Sequence, residues 1–258
     1  MRIVNLLNVG AAAAMLIGCS GGGPAAVESK KAQTPAPVAY FKVDPATAGT
    51  ISGRISFKGA RPAPKPIVMN EEAECVKMHP GGMTTEDVVV NADGTLANVF
   101  VYLKTGLEGK SFEPVTVPIA IDQRGCRFEP HVMAVRVGQP FHVTNSDPVT
   151  HNIHPQPKDN REWNQGQPPG SATLEREFAR PEIMIPVKCN VHSWMRSYIA
   201  VLDHPYFAVA RDGAFEIKNV PPGDYTVVAW HEKLGVQEMK VTVAPSGKAV
   251  AEFTYKGA

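Results

Sequence analysis

The sequence predicts an all-β protein with little helix. Segments of alternating apolar and polar residues recur along the chain, as in residues 51–57 and, approximately, residues 99–103. Turn-forming residues separate these segments, and the 22 Gly and 23 Pro are spread along the chain, as expected of short strands joined by turns. No segment carries the long amphipathic pattern with a 3.6-residue period that would predict a major helix.

Length and charge narrow the class of protein further. A chain of 258 residues is long enough for one large domain or two small ones. The formal net charge is +1 and no stripe of Lys and Arg stands out, which argues against a nucleic-acid partner. Beyond the N-terminus no apolar run approaches the length needed to cross a membrane.

The N-terminus has the pattern of an export signal. Arg2 precedes an apolar run over residues 3–17 that ends in small residues. The sequence Leu-Ile-Gly-Cys resembles the lipobox of bacterial lipoproteins, in which the cysteine, here Cys19, becomes the lipidated first residue. The alternative is an ordinary secretory signal with a chance cysteine. We therefore predict a lipoprotein signal peptide over residues 1–19 and a periplasmic or cell-surface protein, anchored to the membrane by lipid.

The segment after the signal, residues 20–48, is predicted to be a flexible tether. Its first part is rich in Gly, Ala, Pro, Ser and Lys, a composition that cannot bury a core.

Export also bears on the cysteines. Exported proteins fold in an oxidising compartment, where spare thiols tend to pair. With Cys19 assigned to the lipid, we expect a disulfide between Cys75 and Cys126, because a free thiol outside the cell is a liability. Cys189 is then left unpaired, which suggests that its thiol has a use.

The sequence CNVHSWM, residues 189–195, is predicted to be a turn between two core strands. Residues 183, 185, 187 and 189 fall at the period of two that is typical of a strand with one buried face. Residues 198–202 form a nearly continuous apolar run, typical of a strand buried on both faces. The turn brings a thiol, an imidazole and a thioether to one end of a sandwich, from Cys189, His192 and Met195.

A second imidazole upstream would complete a metal site. His151 and His154 are candidates, but side chains three apart on a strand point to opposite faces, so we expect only one of them in the site. Two imidazoles, a thiolate and a weak axial Met are typical of mononuclear blue copper sites. Zinc sites more often use Cys and His without Met. The alternative is that these are ordinary core and surface side chains.

Residues 112–204 resemble a cupredoxin, the family of plastocyanin, pseudoazurin and amicyanin. The matching pieces are residues 128–130, 135–138, 143–145, 151–152 and the sequence CNVHSWM, whose short C-x-x-H-x-x-M spacing is most similar to amicyanin. The resemblance implies a Greek-key β-sandwich with one type 1 copper site whose ligands are His151, Cys189, His192 and Met195.

The resemblance also implies roles around the copper. Asn152 matches the residue that pins the Cys loop by hydrogen bonding, and the ring edge of His192 is expected to reach the surface and meet a redox partner. Where such loops commonly have Gly before and after the Met, this chain has Trp194 and Arg196. A single thiol in the loop excludes a binuclear copper centre. The implied function is electron transfer, not enzymatic catalysis, with a cytochrome or a dehydrogenase as redox partner.

The sequences on either side of this region have a second family likeness. Residues 49–59, 96–106 and 212–232 resemble carboxypeptidase regulatory-like modules, which are transthyretin- or starch-binding-like β-sandwiches. We therefore predict one discontinuous sandwich, 49–110 with 205–258, into which the cupredoxin domain is inserted. The alternative is that the N-terminal strands extend the cupredoxin sheet.

Two other functions compete with electron transfer. One is a copper carrier or store, which would release its metal readily. The other is a metal-free β-sandwich that binds carbohydrate or the cell envelope, for which the sequence offers no evident aromatic platform.

Overall fold

The computed structural model describes residues 39–69 and 72–257. The predicted signal peptide with Cys19, and residues 20–38 of the predicted tether, lie outside the described residues. In the described part of the chain, no helix has the length and apolar character needed to span a bilayer.

The described residues are folded almost entirely into strands, which confirms the all-β prediction and the small helix content. The elements are β1 (Gly49–Lys58), α1 (Ala73–Met78), β2 (Val99–Thr105), β3 (Ile119–Gln123), β4 (Phe128–Glu129), β5 (Val132–Arg136), β6 (Phe141–Asn145), β7 (His151–Pro155), β8 (Gln165–Gln167), β9 (Leu174–Arg176), β10 (Glu182–Lys188), β11 (Arg196–Leu202), β12 (Phe207–Ala210), β13 (Ala214–Val220), β14 (Gly223–His231), β15 (Gly235–Val243), β16 (Lys248–Val250) and β17 (Phe253–Lys256).

Two sheets combine the first strands with the last. In one of them β1 lies between β13 and β16, and its second half pairs with β17. The other has the order β12-β2-β14-β15. A buried cluster that includes Ile55, Val101, Ile217, Val227 and Tyr255 fills the space between them. The strands of these two sheets come from residues 49–105 and 207–256.

The middle of the chain supplies the other two sheets. Their strand orders are β5-β11-β10-β7-β8 and β4-β3-β6-β9. Their inner faces share a second buried cluster, with Ile121, Phe141, Ile153 and Val187 among its members. At one end of this sandwich β7 begins at His151 and β10 leads into Cys189.

One segment differs from the predicted domain boundaries. Residues 66–69 and 72–84, which the sequence assigns to the flanking sandwich, contain α1 and pack on the core of the middle sandwich through Met69, Cys75 and Met83. The structure also joins Cys75 to Cys126 by a disulfide. This segment therefore lies over the middle sandwich, although the strands before and after it belong to the flanking one.

A third apolar cluster connects the two sandwiches. Phe100 of β2 is buried with Val132 of β5 and Ala200 of β11, and Trp230 packs against the same group. Beside this cluster the carboxylate of Glu232, whose side chain is 3% exposed, accepts hydrogen bonds from His131 at 2.5 Å and from the hydroxyl of Tyr198 at 3.0 Å. The two sandwiches are therefore packed together in one compact unit.

Candidate metal site

The loop Cys189–Met195 closes the hairpin between β10 and β11, as the sequence predicts. Ile185, Val187 and Cys189 are all buried, because alternate residues of β10 face the core. The backbone N–H of Cys189 donates to the carbonyl of Met195 at 3.2 Å, and the N–H of Met195 donates to the carbonyl of His192 at 3.0 Å. These bonds fold the loop back on itself, so its soft side chains remain at the end of the sandwich.

The structure brings His151, Cys189 and His192 together. Their ligand atoms all lie within 4.8 Å of one another, and the three side chains are buried. The two Nδ1 atoms are 2.8 Å apart, and Sγ of Cys189 lies 3.9 Å from Nδ1 of His192. Two imidazole nitrogens and one thiol sulfur thus converge on one point.

Met195 is buried in the same core cluster as Cys189, at the last position of the loop. His154, the other candidate imidazole, lies away from this group. It is bonded to Glu162 at 2.6 Å and to Asn190 at 3.3 Å. Strand parity therefore separates the two upstream histidines in the way the sequence indicates.

Asp147, which the sequence analysis missed, holds the outer nitrogen of His151. One carboxylate oxygen accepts a hydrogen bond from Nε2 of His151 at 2.8 Å, which leaves Nδ1 facing Cys189 and His192. The backbone N–H groups of Gly125 and Cys126 donate to the same carboxylate at 2.6 and 2.7 Å. Both residues have positive φ, 59° and 52°, and two successive N–H groups in this conformation form an anion-binding nest.

The charge of Asp147 follows from these contacts. Burial favours the neutral carboxyl, but the bond from His151 and the two backbone donors outweigh it, so the pKa of Asp147 is lowered. The signal in the sequence is an Asp four residues before His151, in the turn that precedes β7. The N–H groups that donate to Asp147 come from the turn at Gly125 and Cys126, 22 and 21 residues upstream, and the local sequence pattern does not show this contact.

Asn152 fastens the loop to β7. Its side-chain oxygen accepts hydrogen bonds from the N–H groups of Asn190 at 2.6 Å and Val191 at 3.3 Å. Its side-chain amide donates to Asn164 at 2.6 Å, which fixes the orientation of the group. This is the contact that the cupredoxin resemblance implies for Asn152.

The sulfur of Cys189 lies in surroundings that favour the thiolate. Two backbone N–H groups point at Sγ, from Asn152 at 3.5 Å and His192 at 3.4 Å. Burial raises the pKa of this thiol, but the neighbouring imidazoles of His151 and His192 and the N–H donors lower it to about 6. A thiolate is the form that binds a soft metal ion.

His192 does not reach the surface, contrary to the expectation from the resemblance. Only 1% of it is exposed, because the segment with α1 covers its ring edge. Nε2 of His192 lies 3.5 Å from a carboxylate oxygen of Glu72 and 3.9 Å from Sγ of Cys75. The disulfide from Cys75 to Cys126 holds this cover in place.

Trp194 packs against the other side of the same imidazole. Its ring centroid lies 5.1 Å from that of His192, and its indole N–H donates to the carbonyl of Cys126 at 3.0 Å. Trp194 is half-buried. Trp194, which stands where such loops commonly have Gly, therefore contacts both the candidate ligand His192 and the turn that carries Cys126 of the disulfide.

The remaining histidines have structural contacts. Nδ1 of His231 accepts from two backbone N–H groups and Nδ1 of His204 from one, while His79 bonds the carbonyl of Gly125 at 2.7 Å. His131 is bonded to Glu232 between the sandwiches.

The donor set has a definite chemical preference. Imidazole nitrogen and thiolate sulfur suit copper and zinc better than calcium or magnesium, which take oxygen ligands. A buried thioether beside such a set favours copper(I) over zinc. The residues present therefore fit a copper ion, which His151, Cys189 and His192 would hold, and Met195 is buried in the same core cluster as Cys189.

Comparison with protein families finds one match. The model of polysaccharide lyase family 4, domain II, matches residues 166–251, less than half of the chain. The matched segment runs through the loop Cys189–Met195 and on through most of the C-terminal strands. No curated protein matches the chain.

Several solved structures are similar to part of the chain. A copper-containing nitrite reductase from Thermus scotoductus SA-01 is 19% identical over 39% of this chain and 25% of its own, with a TM-score of 0.32. A purple cupredoxin from Nitrosopumilus maritimus is 20% identical over 32% of this chain and 97% of its own, with a TM-score of 0.28. A copper(I) form of an amicyanin mutant is 18% identical over 39% and 97%, with a TM-score of 0.27. The chain thus spans a quarter of the nitrite reductase and nearly all of each small cupredoxin.

Proposed function

We propose that this protein binds one copper ion in a type 1 site and carries single electrons between redox partners. The convergence of His151, Cys189 and His192 in a buried pocket is the observation that supports this function. A bound copper ion would supply one-electron chemistry by alternating between Cu(II) and Cu(I).

The protein residues are arranged to hold such an ion with little movement. Asp147 holds the imidazole of His151, and Asn152 holds the loop that carries Cys189 and His192. Contacts of this kind orient ligands and raise their affinity for a metal. A fixed donor set limits rearrangement on oxidation, and small rearrangement speeds electron transfer.

The proposed function includes a location outside the cytoplasm, at a membrane. The export signal and the lipobox-like sequence that ends at Cys19 support a lipid-anchored protein in the periplasm or at the cell surface. A cytochrome or a dehydrogenase remains the expected protein partner. The second sandwich, packed on the copper domain, is proposed to be a carboxypeptidase regulatory-like module.

The test is optical. Adding Cu(II) to the purified, lipid-free protein should give an intense visible thiolate-to-copper band, and Cys189→Ser should abolish it while the circular dichroism stays that of a folded β protein. His154→Ala, which removes an imidazole outside the group, is the matched control and should keep the band. A wild-type protein that stays colourless and binds no copper would contradict the proposal.

A copper carrier would behave differently. Electron transfer requires that the metal stay bound through repeated cycles of reduction and reoxidation. Ready transfer of copper to a chelator in either oxidation state would favour the carrier.

A further inference from the structure

The ring edge of His192 is closed to any redox partner. Glu72 and Cys75 lie against its Nε2, and the disulfide to Cys126 fastens that segment to the middle sandwich. The cover is held further by the bonds of the turn at Gly125 and Cys126 to Asp147. Electrons therefore need another path between the candidate copper site and the outside.

Trp194 lies on such a path. Its indole packs against the imidazole of His192 on one side, and Met195 follows it in the chain. The same indole lines a cavity of about 310 Å³. Electron tunnelling weakens steeply with distance, and an aromatic ring in contact with a ligand shortens the distance from this cavity to the site.

The cavity lies between the two sandwiches. Its lining includes Trp194 and Met195 of the loop, from the middle sandwich, and Glu232 and Lys233, which follow β14 of the flanking sandwich. Its volume is at the lower end of the range for small-molecule sites, which begins at about 300 Å³. A cavity of this volume does not hold even a short peptide segment.

The walls of the cavity are partly polar, and most of their charged groups are paired. Glu86 lies 3.4 Å from Arg127, and Asp87 lies 3.4 Å from Lys233. Glu232 is bonded to His131. Paired charges with hydrogen-bonding groups suit a small polar molecule better than an apolar or highly charged one.

We infer that a small polar redox molecule binds in this cavity and exchanges an electron with the copper site through Trp194. In the reducing direction the bound molecule loses one electron and becomes its radical, its proton passes to water, and Cu(II) becomes Cu(I). This inference rests on the proposed function and gives the second sandwich a part in it.

The test uses ascorbate, a small polar one-electron donor, with the copper-loaded, lipid-free protein. The visible band should bleach at a rate that saturates with ascorbate concentration, because the donor binds before it reacts. Trp194→Leu should lower the plateau rate at least tenfold and leave the band in place. Trp163→Leu, at a half-buried indole that lies against Arg176, is the matched control and should leave the rate unchanged.

A second variant tests the cavity itself. Thr85, on the cavity wall, contacts Lys65 through its backbone N–H, so Thr85→Trp should fill the cavity without breaking that bond. We expect the half-saturating ascorbate concentration to rise at least tenfold. Equilibrium dialysis of the copper-free protein should show one ascorbate bound per chain, and none with Thr85→Trp.

The outcomes separate this inference from the proposed function. A visible band whose bleaching rate is linear in ascorbate and unchanged by both variants overturns the inference and leaves the copper site standing. Faster bleaching in the double variant Cys75→Ala with Cys126→Ala, with no effect of Trp194→Leu, would assign the path to His192 and also overturn it. A protein that forms no band overturns both.

Discussion

The side-chain oxygen of Asn152 accepts a hydrogen bond from the backbone N–H of Asn190 at 2.6 Å. This bond joins the second residue of β7 to the loop that carries three of the four candidate ligands, Cys189, His192 and Met195. One amide side chain therefore ties the loop that carries Cys189 to the strand that carries His151, in addition to the pairing of β7 with β10.

Removing that side chain should loosen the site. We expect Asn152→Ala to weaken copper binding by about 10–100-fold, the usual effect of losing a group that orients metal ligands. The unfolding free energy should fall by about 1–3 kcal/mol, because the N–H groups of Asn190 and Val191 lose their acceptor. Competition with a copper chelator and urea unfolding measure the two effects.

Asn190→Ala is the control for this variant. It removes a neighbouring Asn side chain but keeps the backbone N–H that Asn152 accepts from. It should bind copper as the wild type does. Equal losses in the two variants would show that Asn152 has no special part in holding the loop.

The buried histidines His204 and His231 should make the protein sensitive to acid. Burial lowers the pKa of both to about 4, and Nδ1 of each accepts from backbone N–H groups, which a proton there would prevent. The unfolded chain takes up these protons near pH 6.5. The contribution of each histidine to the unfolding free energy is therefore fully present above about pH 6.5 and is lost as the pH drops toward 4. The loss is about 2 kcal/mol per histidine at pH 5.

Urea unfolding of the copper-free protein at pH 7 and pH 5 measures this loss. His231→Asn keeps an acceptor for the N–H groups of Lys233 and Leu234 but does not titrate in this range. From pH 7 to pH 5 the unfolding free energy of His231→Asn should therefore fall less than that of the wild type, and the difference should be about 2 kcal/mol. Parallel pH profiles for the two proteins would contradict the assignment.

The bond between Cys75 and Cys126 should contribute strongly to stability. It closes a loop with a sequence separation of 51 residues, for which loop-closure entropy predicts about 4 kcal/mol and measured values are often about 2–4. The double variant Cys75→Ala with Cys126→Ala should have an unfolding free energy lower by about 2–4 kcal/mol, measured by urea unfolding. Cys189→Ala, which removes a thiol but no cross-link, should lose less.

Mass spectrometry of the non-reduced protein provides an independent check. Digestion should release one peptide pair joined through Cys75 and Cys126, and Cys189 should react with an alkylating reagent only after unfolding, since it is buried. Alkylation of all three thiols in the native protein would disprove the cross-link.

The C-terminal strands should not fold alone. Residues 205–258 contain β12 to β17, but β12 and β14 pair with β2, and β13, β16 and β17 pair with β1. Expressed by itself, this fragment should show the circular dichroism of an unfolded chain. A cooperative thermal transition in the fragment would contradict the discontinuous sandwich.

The sequence predicted those features that depend on local pattern. Alternation placed Cys189 on the buried face of β10, and strand parity separated His151 from His154. Ile183 departs from the alternation and is 40% exposed, because the pairing of β10 with β11 shifts register between Glu182 and Ile185, where Met184 has a φ of 59°.

Features that depend on distant contacts were not predictable in this way. The N–H nest that holds Asp147 comes from the turn at Gly125 and Cys126, and nothing near Asp147 in the sequence indicates it. The cover over His192 comes from more than a hundred residues upstream. It makes a candidate ligand buried where the cupredoxin resemblance alone implies an exposed one.

The pairing of β1 with β16 and β17 determines the order in which the two sandwiches can be completed during synthesis or export. A chain that leaves the ribosome or crosses a membrane from its N-terminus presents β1 early, but β1 finds these neighbours only when almost the whole polypeptide has emerged. The strands of the middle sandwich are all present once residue 202 has passed. The middle sandwich can therefore assemble before the final strands of the flanking sandwich have emerged, and the flanking sandwich is completed last.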